Sequence, residues 1–123
     1  MAYTVVDLLE ALEDVDDATR EEAAKALAEL ADPSTLDALV RACEDDFWSV
    51  RSHAGWGVAK IGGARAVEAL ISLFNDPIME VRNEAVAAVA HLGSATVDRL
   101  IKAMKDERWR VREHAAKACG LIK

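Results

Sequence analysis

Apolar residues recur at positions i, i+3, i+4 and i+7 in three short segments of the chain, the spacing that lines one face of an α-helix. In the first segment they are Leu36, Leu39, Val40 and Cys43. A short polar turn, "EDD", "NDP" or "KDE", follows each segment. The pattern therefore predicts three short amphipathic helices, and the other two carry their apolar residues at Val67, Leu70, Ile71 and Phe74, and at Val97, Leu100, Ile101 and Met104.

A second helix is predicted after each turn. In the second repeat its inward stripe is Val50, Ala54, Val58 and Ile61, and a glycine pair then ends the pattern with residues that tolerate a left-handed cap. No alternation of apolar and polar residues competes with the helical spacing. Each unit is therefore predicted to be two helices joined by a turn, and the fold class is all-α.

These pairs of helices are internal repeats with a period of 31 residues. The segment "DDFWSVRSHAGWGVAKIGG" aligns with "NDPIMEVRNEAVAAVAHLGS", a third copy follows after one deletion, and a divergent copy precedes them. Because one helical pair cannot bury both of its stripes alone, the repeats are expected to stack side by side as a short α-solenoid. The chain is predicted to be a single domain, 1–123, with repeats at about 1–32, 33–63, 64–94 and 95–123.

The repeated residues resemble those of HEAT-like repeats of the phycobilin lyase type. The shared pattern is Asp, then Val-Arg five and six positions later, then a small residue and Ile-Gly or Leu-Gly, as in Asp45, Val50-Arg51, Ala54 and Ile61-Gly62. The resemblance covers the whole chain and implies a right-handed superhelix whose second helices line the concave surface. It says little about function, because proteins of this type include scaffolds, chromophore lyase subunits, metal enzymes and DNA glycosylases.

An aspartate and an arginine recur six residues apart in every repeat. The aspartate falls in the turn and the arginine in the first turn of the second helix, so the carboxylate can accept helix-start N–H groups and pair with the guanidinium. Four copies of one geometry favour a structural role over an active site, and the resemblance implies a ladder between neighbouring repeats. The ladder residues are Asp14, Arg20, Asp45, Arg51, Asp76, Arg82, Asp106 and Arg112.

The repeats differ most on the face of the second helices opposite the apolar stripe. Trp56 lies on this face by spacing and is predicted not to be a core residue, and Trp48 and Trp109 stand at equivalent positions with Met79 between them. A row of accessible Trp and Met is typical of surfaces that hold a partner's apolar side chains, whereas the alternative is that each Trp covers a neighbouring helix as a lid. The predicted partner-binding residues are Trp48, Ser52, His53, Trp56, Lys60, Met79, Asn83, Glu84, His91, Trp109, Arg110, Glu113, His114 and Lys117.

Two glycines, Gly55 and Gly57, flank Trp56 and replace better helix formers at a cost of roughly 1 kcal/mol each. A channel of small residues at this point would let another chain approach closely, or would let the indole lie flat.

A polar row is predicted to cross the repeats at Glu22, His53, Glu84 and His114. Such side chains can form hydrogen-bonded pairs that fix the register of the repeats, or they can supply metal ligands. HEAT-like deoxyhypusine hydroxylases use His-Glu dipeptides near this point of the repeat, and this sequence has none there. We therefore predict no metal and no cofactor.

The net charge of −7 argues against binding to nucleic acid or to an anionic membrane, because phosphates are neutralised by basic surfaces. The two cysteines, Cys43 and Cys119, are too few for a disulfide framework and align with apolar core positions. No leader and no apolar run long enough to span a bilayer is apparent in the sequence. A reduced, cytoplasmic protein is expected.

Charge is unevenly distributed along the repeats. The first repeat has ten acidic and two basic residues, whereas the last has four acidic and eight basic residues. This polarity can steer a charged partner or pair the ends of two copies, or the acidic repeat can act as a solubilising cap. A homo-oligomer formed through an uncapped C-terminal repeat is a further hypothesis.

The sequence contains no Gly-rich phosphate loop, nucleophile elbow or plausible Ser/His/Asp set. The predicted function is a non-catalytic protein–protein interaction scaffold that binds a protein or peptide partner on its concave face. The alternatives are an accessory subunit of a bilin- or cofactor-handling enzyme, and a metal-binding HEAT-like enzyme.

Overall fold

The structure, a computed structural model, describes residues 3–122 as eight α-helices in four consecutive pairs. Short 3₁₀ turns lie at Pro33–Thr35, Leu73–Asn75 and Gly93–Thr96, and the described residues contain no strand. The first helices of the pairs are α1 (Val5–Ala11), α3 (Leu36–Ala42), α5 (Ala64–Ser72) and α7 (Val97–Ala103). The second helices are α2 (Asp17–Leu30), α4 (Trp48–Ile61), α6 (Met79–Leu92) and α8 (Trp109–Leu121).

Polar side chains begin the first two helices. Thr4 Oγ1 accepts a hydrogen bond from the N–H of Asp7 at 3.1 Å, and the Asp7 carboxylate accepts one from the N–H of Thr4 at 3.0 Å. This reciprocal capping box satisfies two N–H groups that the helix itself leaves unpaired. Asp16 caps α2 in a related way by accepting a hydrogen bond from the N–H of Thr19 at 3.0 Å.

Glycines at positive φ end two of the second helices. Gly62 and Gly63, after α4, have φ angles of 80° and 92°, and Gly93, after α6, has a φ angle of 77°. Side chains disfavour this region of backbone space, so glycine is the residue suited to the reversal into the next repeat. After α2 the same reversal uses Ala31, which has a φ angle of 48°.

The helices form two layers with the core between them. Each second helix packs on the second helices of its neighbours, and each first helix packs on the second helix of its own repeat. Contacts between second helices are more extensive than those between first helices, as expected for the inner layer of a solenoid. Burying a side chain of leucine size contributes about 1.5–3 kcal/mol, and the largest fully buried side chains include Phe74, Leu27, Leu39, Leu70 and Leu100.

Ile101 departs from the predicted inward stripe. Its side chain is 45% exposed, whereas the equivalent residues Val40 and Ile71 are half-buried. Val40 and Ile71 are each followed by another repeat that covers them, and Ile101 lies at the end of the described stack. The stacked helical pairs confirm the predicted all-α solenoid. None of the described helices is both long enough and apolar enough to cross a membrane.

Candidate functional site

Three successive second helices each begin with a large, exposed apolar side chain. Trp48 opens α4 and is 41% exposed, Met79 opens α6 and is 59% exposed, and Trp109 opens α8 and is 59% exposed. We call these three residues the apolar row. Their exposure argues against the alternative in which each side chain covers a neighbouring helix.

A turn of constant geometry places the members of the apolar row. In the second repeat, Asp45 Oδ1 accepts a hydrogen bond from the N–H of Phe47 at 2.9 Å, and in the third repeat Asp76 Oδ1 accepts one from Ile78 at 2.9 Å. The fourth repeat has the same bond at the same distance. The residue after each donor is the first residue of the helix, so the apolar side chains emerge at one edge of the stack.

The Trp109 end of the apolar row also carries a positive charge. Arg110 Cζ lies 5.1 Å from the centroid of the Trp109 ring, a cation–π distance. The Nε atom of Arg110 is buried and has no hydrogen-bond partner among residues 3–122. A guanidinium and an exposed indole therefore lie side by side at this end of the row.

Trp56 does not belong to the apolar row. Its side chain is half-buried and packs against the core, and with Ser52 and Glu84 it lines a narrow crevice between α4 and α6. The prediction that Trp56 stands apart from the core is wrong, because the indole reaches the groove between two neighbouring helices. Of the three tryptophans, Trp56 is the one that fits the alternative in which the side chain covers a neighbouring helix.

Polar contacts between second helices follow a fixed register. Glu21 Oε2 in α2 accepts a hydrogen bond from Ser49 Oγ at 2.5 Å and lies 3.7 Å from His53 Nε2 in α4. One repeat later, Ser52 Oγ donates a hydrogen bond to Glu84 Oε2. Ser52 is the repeat equivalent of Glu21, and Glu84 is the equivalent of His53. A second helix therefore contacts the next helix through the position that Glu21 and Ser52 share. It contacts the preceding helix through the following position in sequence, which His53 and Glu84 share.

This register corrects the predicted row of Glu22, His53, Glu84 and His114. His53 contacts Glu21, not Glu22, and Glu22 is exposed. Residues at equivalent positions do not face one another, because the contacts join positions that are offset by one residue. Within residues 3–122 no group of three or more His, Cys, Asp or Glu side chains is arranged to hold a metal ion.

Two of the predicted partner-binding residues are buried. Ser52 is 8% exposed and His114 is 4% exposed, so the prediction that they face a partner is wrong. His114 Nδ1 lies 2.8 Å from the carbonyl oxygen of Arg110, and its ring packs 6.2 Å from that of Phe74.

Neighbouring elements cover the flanks of the second helices, which reduces the exposed face. On this face Lys60, Asn83, Glu84, His91, Glu113 and Lys117 are exposed, and His53 and Arg110 are half-buried.

The two glycines of α4 face inward and do not form an open channel. A Cβ atom on Gly57 would lie 3.0 Å from Leu39 Cδ1 and 3.3 Å from Ala28 Cα, and one on Gly55 would lie 3.2 Å from Leu73 Cδ1. Neighbouring helices already occupy this space, so the hypothesis that another chain approaches here is wrong. The glycines allow α4 to lie close to the elements packed against it.

The aspartates and arginines form a ladder between repeats. Arg20 Nε and Nη2 donate to the carboxylate of Asp45 at 3.0 and 3.2 Å, and Arg51 donates in the same way to Asp76 at 2.6 and 3.0 Å. The Nη1 atom of each arginine instead donates at 2.8 Å to the carbonyl of the aspartate six residues earlier, Asp14 for Arg20. A side-chain pair therefore joins neighbouring repeats and not the two residues of one turn.

The ladder changes at its third position. Arg108 donates hydrogen bonds to both carboxylate oxygens of Asp106. These hydrogen bonds are the main reason that the pKa of Asp106 is lowered from 3.8 to about 2. Arg82, which the pattern would place on Asp106, donates from Nη1 to the carbonyl of Asp76 at 2.5 Å. The Nε atom of Arg82 is buried without a hydrogen-bond partner in the described part of the chain. The third rung is thus formed within a single repeat.

Cys43 lacks the exposure and the low pKa of a reactive thiol. Cys43 is buried, and burial raises the pKa of its thiol to about 12, so the thiolate is rare at neutral pH. Cys119 is half-buried in α8. Both positions belong to the packing of the repeats.

Sequence reasoning missed Glu21 and Arg108. The offset between adjacent helices brings Glu21 to His53, and this offset cannot be read from an alignment of equivalent positions. For Arg108 a signal was present, because its equivalents Phe47 and Ile78 are apolar and Arg108 follows Asp106 by two residues. A charged residue at an apolar repeat position, beside an aspartate, indicates a new local ion pair.

A family model described as HEAT repeats matches residues 5–90 and 73–123. A solved engineered protein superposes with a TM-score of 0.60 at 25% identity, covering 98% of this chain and 62% of that chain. The complex of CpcE and CpcF of phycocyanin lyase from Nostoc sp. PCC7120 superposes with a TM-score of 0.68 at 19% identity, covering 100% of this chain and 66% of that chain. This chain therefore spans about two thirds of these structures, and their similarity to it concerns the fold. No curated protein matches the sequence.

Proposed function

We propose that this chain, which belongs to the HEAT-repeat family, is a non-catalytic scaffold. It would bind a protein or peptide partner on the layer formed by its second helices. The observation that carries the proposal is the apolar row, in which Trp48, Met79 and Trp109 are 41%, 59% and 59% exposed. Apolar surface gains roughly 25 cal/mol for each Å² removed from water, so three such side chains in line favour a partner that covers them.

The dimensions of the apolar row suit a short segment of a partner. Helices pack 8–10 Å apart, so a row that crosses three of them spans roughly 20 Å. An extended chain advances about 3.3 Å per residue, so about six residues would cover the row. Trp and Met side chains can adapt to apolar side chains of varied shape.

The charges at the Trp109 end favour a particular partner chemistry. The guanidinium of Arg110 lies against the Trp109 ring, and its Nε has no partner among residues 3–122. A carboxylate on the partner would pair with the positive charge of this guanidinium while an adjacent apolar side chain covers the indole. The partner that fits best therefore combines apolar residues with an acidic residue near one end.

A triple variant, Trp48→Ala/Met79→Ala/Trp109→Ala, tests the proposal. Because these side chains are exposed, the variant should keep the circular dichroism spectrum and cooperative melting of the wild type. Affinity capture from the native source, followed by calorimetric titration with each purified captured protein, should show at least 30-fold weaker binding, since anchor residues contribute about 2 kcal/mol or more each.

A matched control removes exposed apolar side chains elsewhere. Val15 is 99% exposed and Leu30 is 55% exposed, and both lie in the first repeat outside the apolar row. The Val15→Ala/Leu30→Ala variant should bind like the wild type. A folded triple variant that captures and binds the same proteins as the wild type would refute the proposal.

The alternative of an accessory subunit in a bilin- or cofactor-handling enzyme is supported only by the fold shared with the phycocyanin lyase complex, at 19% identity. Mixing a bilin with the purified protein tests it, because binding would shift the absorbance spectrum of the bilin. Elemental analysis for iron, zinc and manganese tests the alternative of a metal enzyme.

A further inference from the structure

A cleft between α5 and α7 gathers basic side chains, and we propose that it binds a phosphate monoester. This dianion is carried by a phosphorylated serine or threonine and by phosphorylated small molecules. We call this feature the basic cleft. Its volume is about 430 Å³, which is within the range of small-ligand sites. The proposal is separate from the apolar row, because the residues of that row lie on the second helices and outside the lining of the basic cleft.

Clefts of this kind recur between neighbouring repeats, because the first helices stack with one geometry. The same four positions line each cleft. In the basic cleft, between the third and fourth repeats, they are Arg99, Lys102, Lys105 and Asp106. Between the second and third repeats they are Ala69, Ser72, Asn75 and Asp76, and between the first and second repeats they are Ala38, Arg41, Glu44 and Asp45. The fold therefore provides the cleft, and the residue types decide which ligand it suits.

The charge of the lining changes sign along the three clefts. Between the first and second repeats the lining has five acidic and two basic side chains, and between the second and third repeats it has three acidic and two basic side chains. The basic cleft has two acidic and four basic side chains. Because the whole chain has a net charge of −7, this local surplus of two positive charges favours a compact anion over a long polyanion.

Two of the four basic side chains are held in position by carboxylates of the lining. Arg99 Nε donates to Glu68 Oε1 at 3.2 Å, and Arg108 donates to both carboxylate oxygens of Asp106 at 3.0 and 3.1 Å. Each guanidinium has five N–H donors, and these bonds use only one or two of them. The side chains of Arg99 and Arg108 are 42% and 53% exposed, so the other donors are accessible to an anion.

The two lysines supply the surplus charge of the basic cleft. Lys102 and Lys105 are exposed. The elements around the cleft are α5, α7 and the turn before α8, and none of their described carboxylates pairs with either lysine. A lysine ammonium acts as a mobile point charge for a phosphate, whereas an arginine supplies a fixed fork of donors. A phosphate monoester carries about two negative charges near pH 7 and has three acceptor oxygens, so it matches this set.

Arg108 lines the basic cleft and also interrupts the ladder. It holds Asp106, and the Nε atom of Arg82 is left buried without a hydrogen-bond partner in the described part of the chain. An unmade hydrogen bond at a buried donor lowers stability. Phe47 and Ile78, at the equivalent positions, leave the aspartate to the ladder. A departure from the repeat pattern that lowers stability is typical of functional sites, which supports a role of Arg108 in binding.

Fluorescence anisotropy with labelled peptides tests the proposal, at low salt and in a buffer free of phosphate and sulfate. Three alanine-based peptides of equal length differ only at the central position, which is phosphoserine, glutamate or serine. The phosphoserine peptide should bind at least about tenfold more tightly than the glutamate peptide, and inorganic phosphate should displace it. Equal affinity for these two peptides, or no saturable binding of the phosphoserine peptide, would overturn the proposal.

A double variant, Lys102→Gln/Lys105→Gln, locates the binding. Because both lysines are exposed and outside the ladder, the variant should melt like the wild type and bind the phosphoserine peptide at least about tenfold more weakly. The matched control Lys25→Gln/Arg41→Gln removes two positive charges at exposed positions of α2 and α3, and it should bind like the wild type. If both variants weaken binding equally, the attraction is a general effect of charge and the basic cleft is not the site.

Competition experiments identify the source of the phosphate. Free phosphoserine that competes as well as the unlabelled phosphoserine peptide supports a phosphorylated small molecule, and a peptide that competes more strongly supports a phosphorylated protein. Both results keep the site. A single-stranded oligonucleotide carries phosphodiesters with one charge each and should compete no better than inorganic phosphate at equal phosphate concentration. Stronger competition by the oligonucleotide would refute the monoester and indicate a site for polyanions.

Discussion

Arg108 holds Asp106 through two parallel hydrogen bonds, from Nε to Oδ1 at 3.0 Å and from Nη2 to Oδ2 at 3.1 Å. In the two earlier rungs, the equivalent aspartate is held by an arginine of the preceding repeat. The residues at the position of Arg108 are there Phe47 and Ile78, which cannot compete for a carboxylate. One change of residue type has therefore redirected an inter-repeat contact into a single turn.

Removing Arg108 should let Arg82 take its place on Asp106. We expect Arg82→Ala to cost more free energy of unfolding in an Arg108→Ala background than in the wild type, by at least about 1 kcal/mol. The reason is that Arg82 gains a carboxylate partner only when Arg108 is absent. Urea unfolding of the wild type, both single variants and the double variant measures this coupling. Additive costs would show that Arg82 does not move.

The Asp106 carboxylate should make stability depend on pH in the acid range. Arg108 lowers the pKa of Asp106 from 3.8 to about 2, so the ionised carboxylate stabilises the fold above about pH 4, and this contribution is lost as the pH falls towards 2. Asp106→Asn should therefore lower the melting temperature at pH 7 and flatten its dependence on pH between about 4 and 2. Glu29→Gln, at an exposed position of α2 away from the start of the helix, is the control and should follow the wild-type curve.

The ladder should contribute more to stability than exposed ion pairs do. Arg51 and Asp76 have side chains that are 12% and 4% exposed, and Arg65 and Asp37 have side chains that are 57% and 68% exposed. Arg51→Ala leaves a buried carboxylate without its partner and should cost about 3 kcal/mol of unfolding free energy. Arg65→Ala should cost less than about 1 kcal/mol. Equal costs for the two variants in urea unfolding would contradict this assignment.

The two glycines of α4 should respond differently to alanine. At Gly57 the added Cβ would lie 3.3 Å from the backbone of Ala28, which cannot move without shifting α2. At Gly55 it would lie 3.2 Å from the end of the flexible Leu73 side chain. Overpacking typically costs about 1–3 kcal/mol, so Gly57→Ala should destabilise despite the better helix propensity of alanine. Gly55→Ala should stay within about 1 kcal/mol of the wild type, and the reverse order in urea unfolding would disprove the close approach.

The fold could be predicted because the stripes of the repeats are redundant. Leu39, Leu70 and Leu100 are equivalent, and all three are fully buried, as the i, i+3, i+4, i+7 spacing requires. Ile101 has the same spacing and is 45% exposed, because none of the described repeats lies against that side of α7. Periodicity reports which side of a helix faces the core, and it does not report what covers that side.

The candidate site was less predictable because spacing along one helix says nothing about its neighbours. Trp48 and Trp109 are exposed, but Trp56 on the face predicted to be open reaches the groove towards α6. Ser52 and His114 are buried for the same reason. Distinguishing these residues requires the offset between adjacent helices, which depends on backbone geometry and not on any single repeat.

The one-residue offset between second helices has a consequence for how such a chain can be rearranged. Glu21 meets Ser49 and His53, and Ser52 meets Glu84, so each unit carries one kind of polar group on its leading side and another on its trailing side. A unit copied into a different place would bring the wrong donor or acceptor to its new neighbour. At these two junctions the present order of the units is therefore favoured by a few side chains, and exchanging units there would require matched changes at these positions.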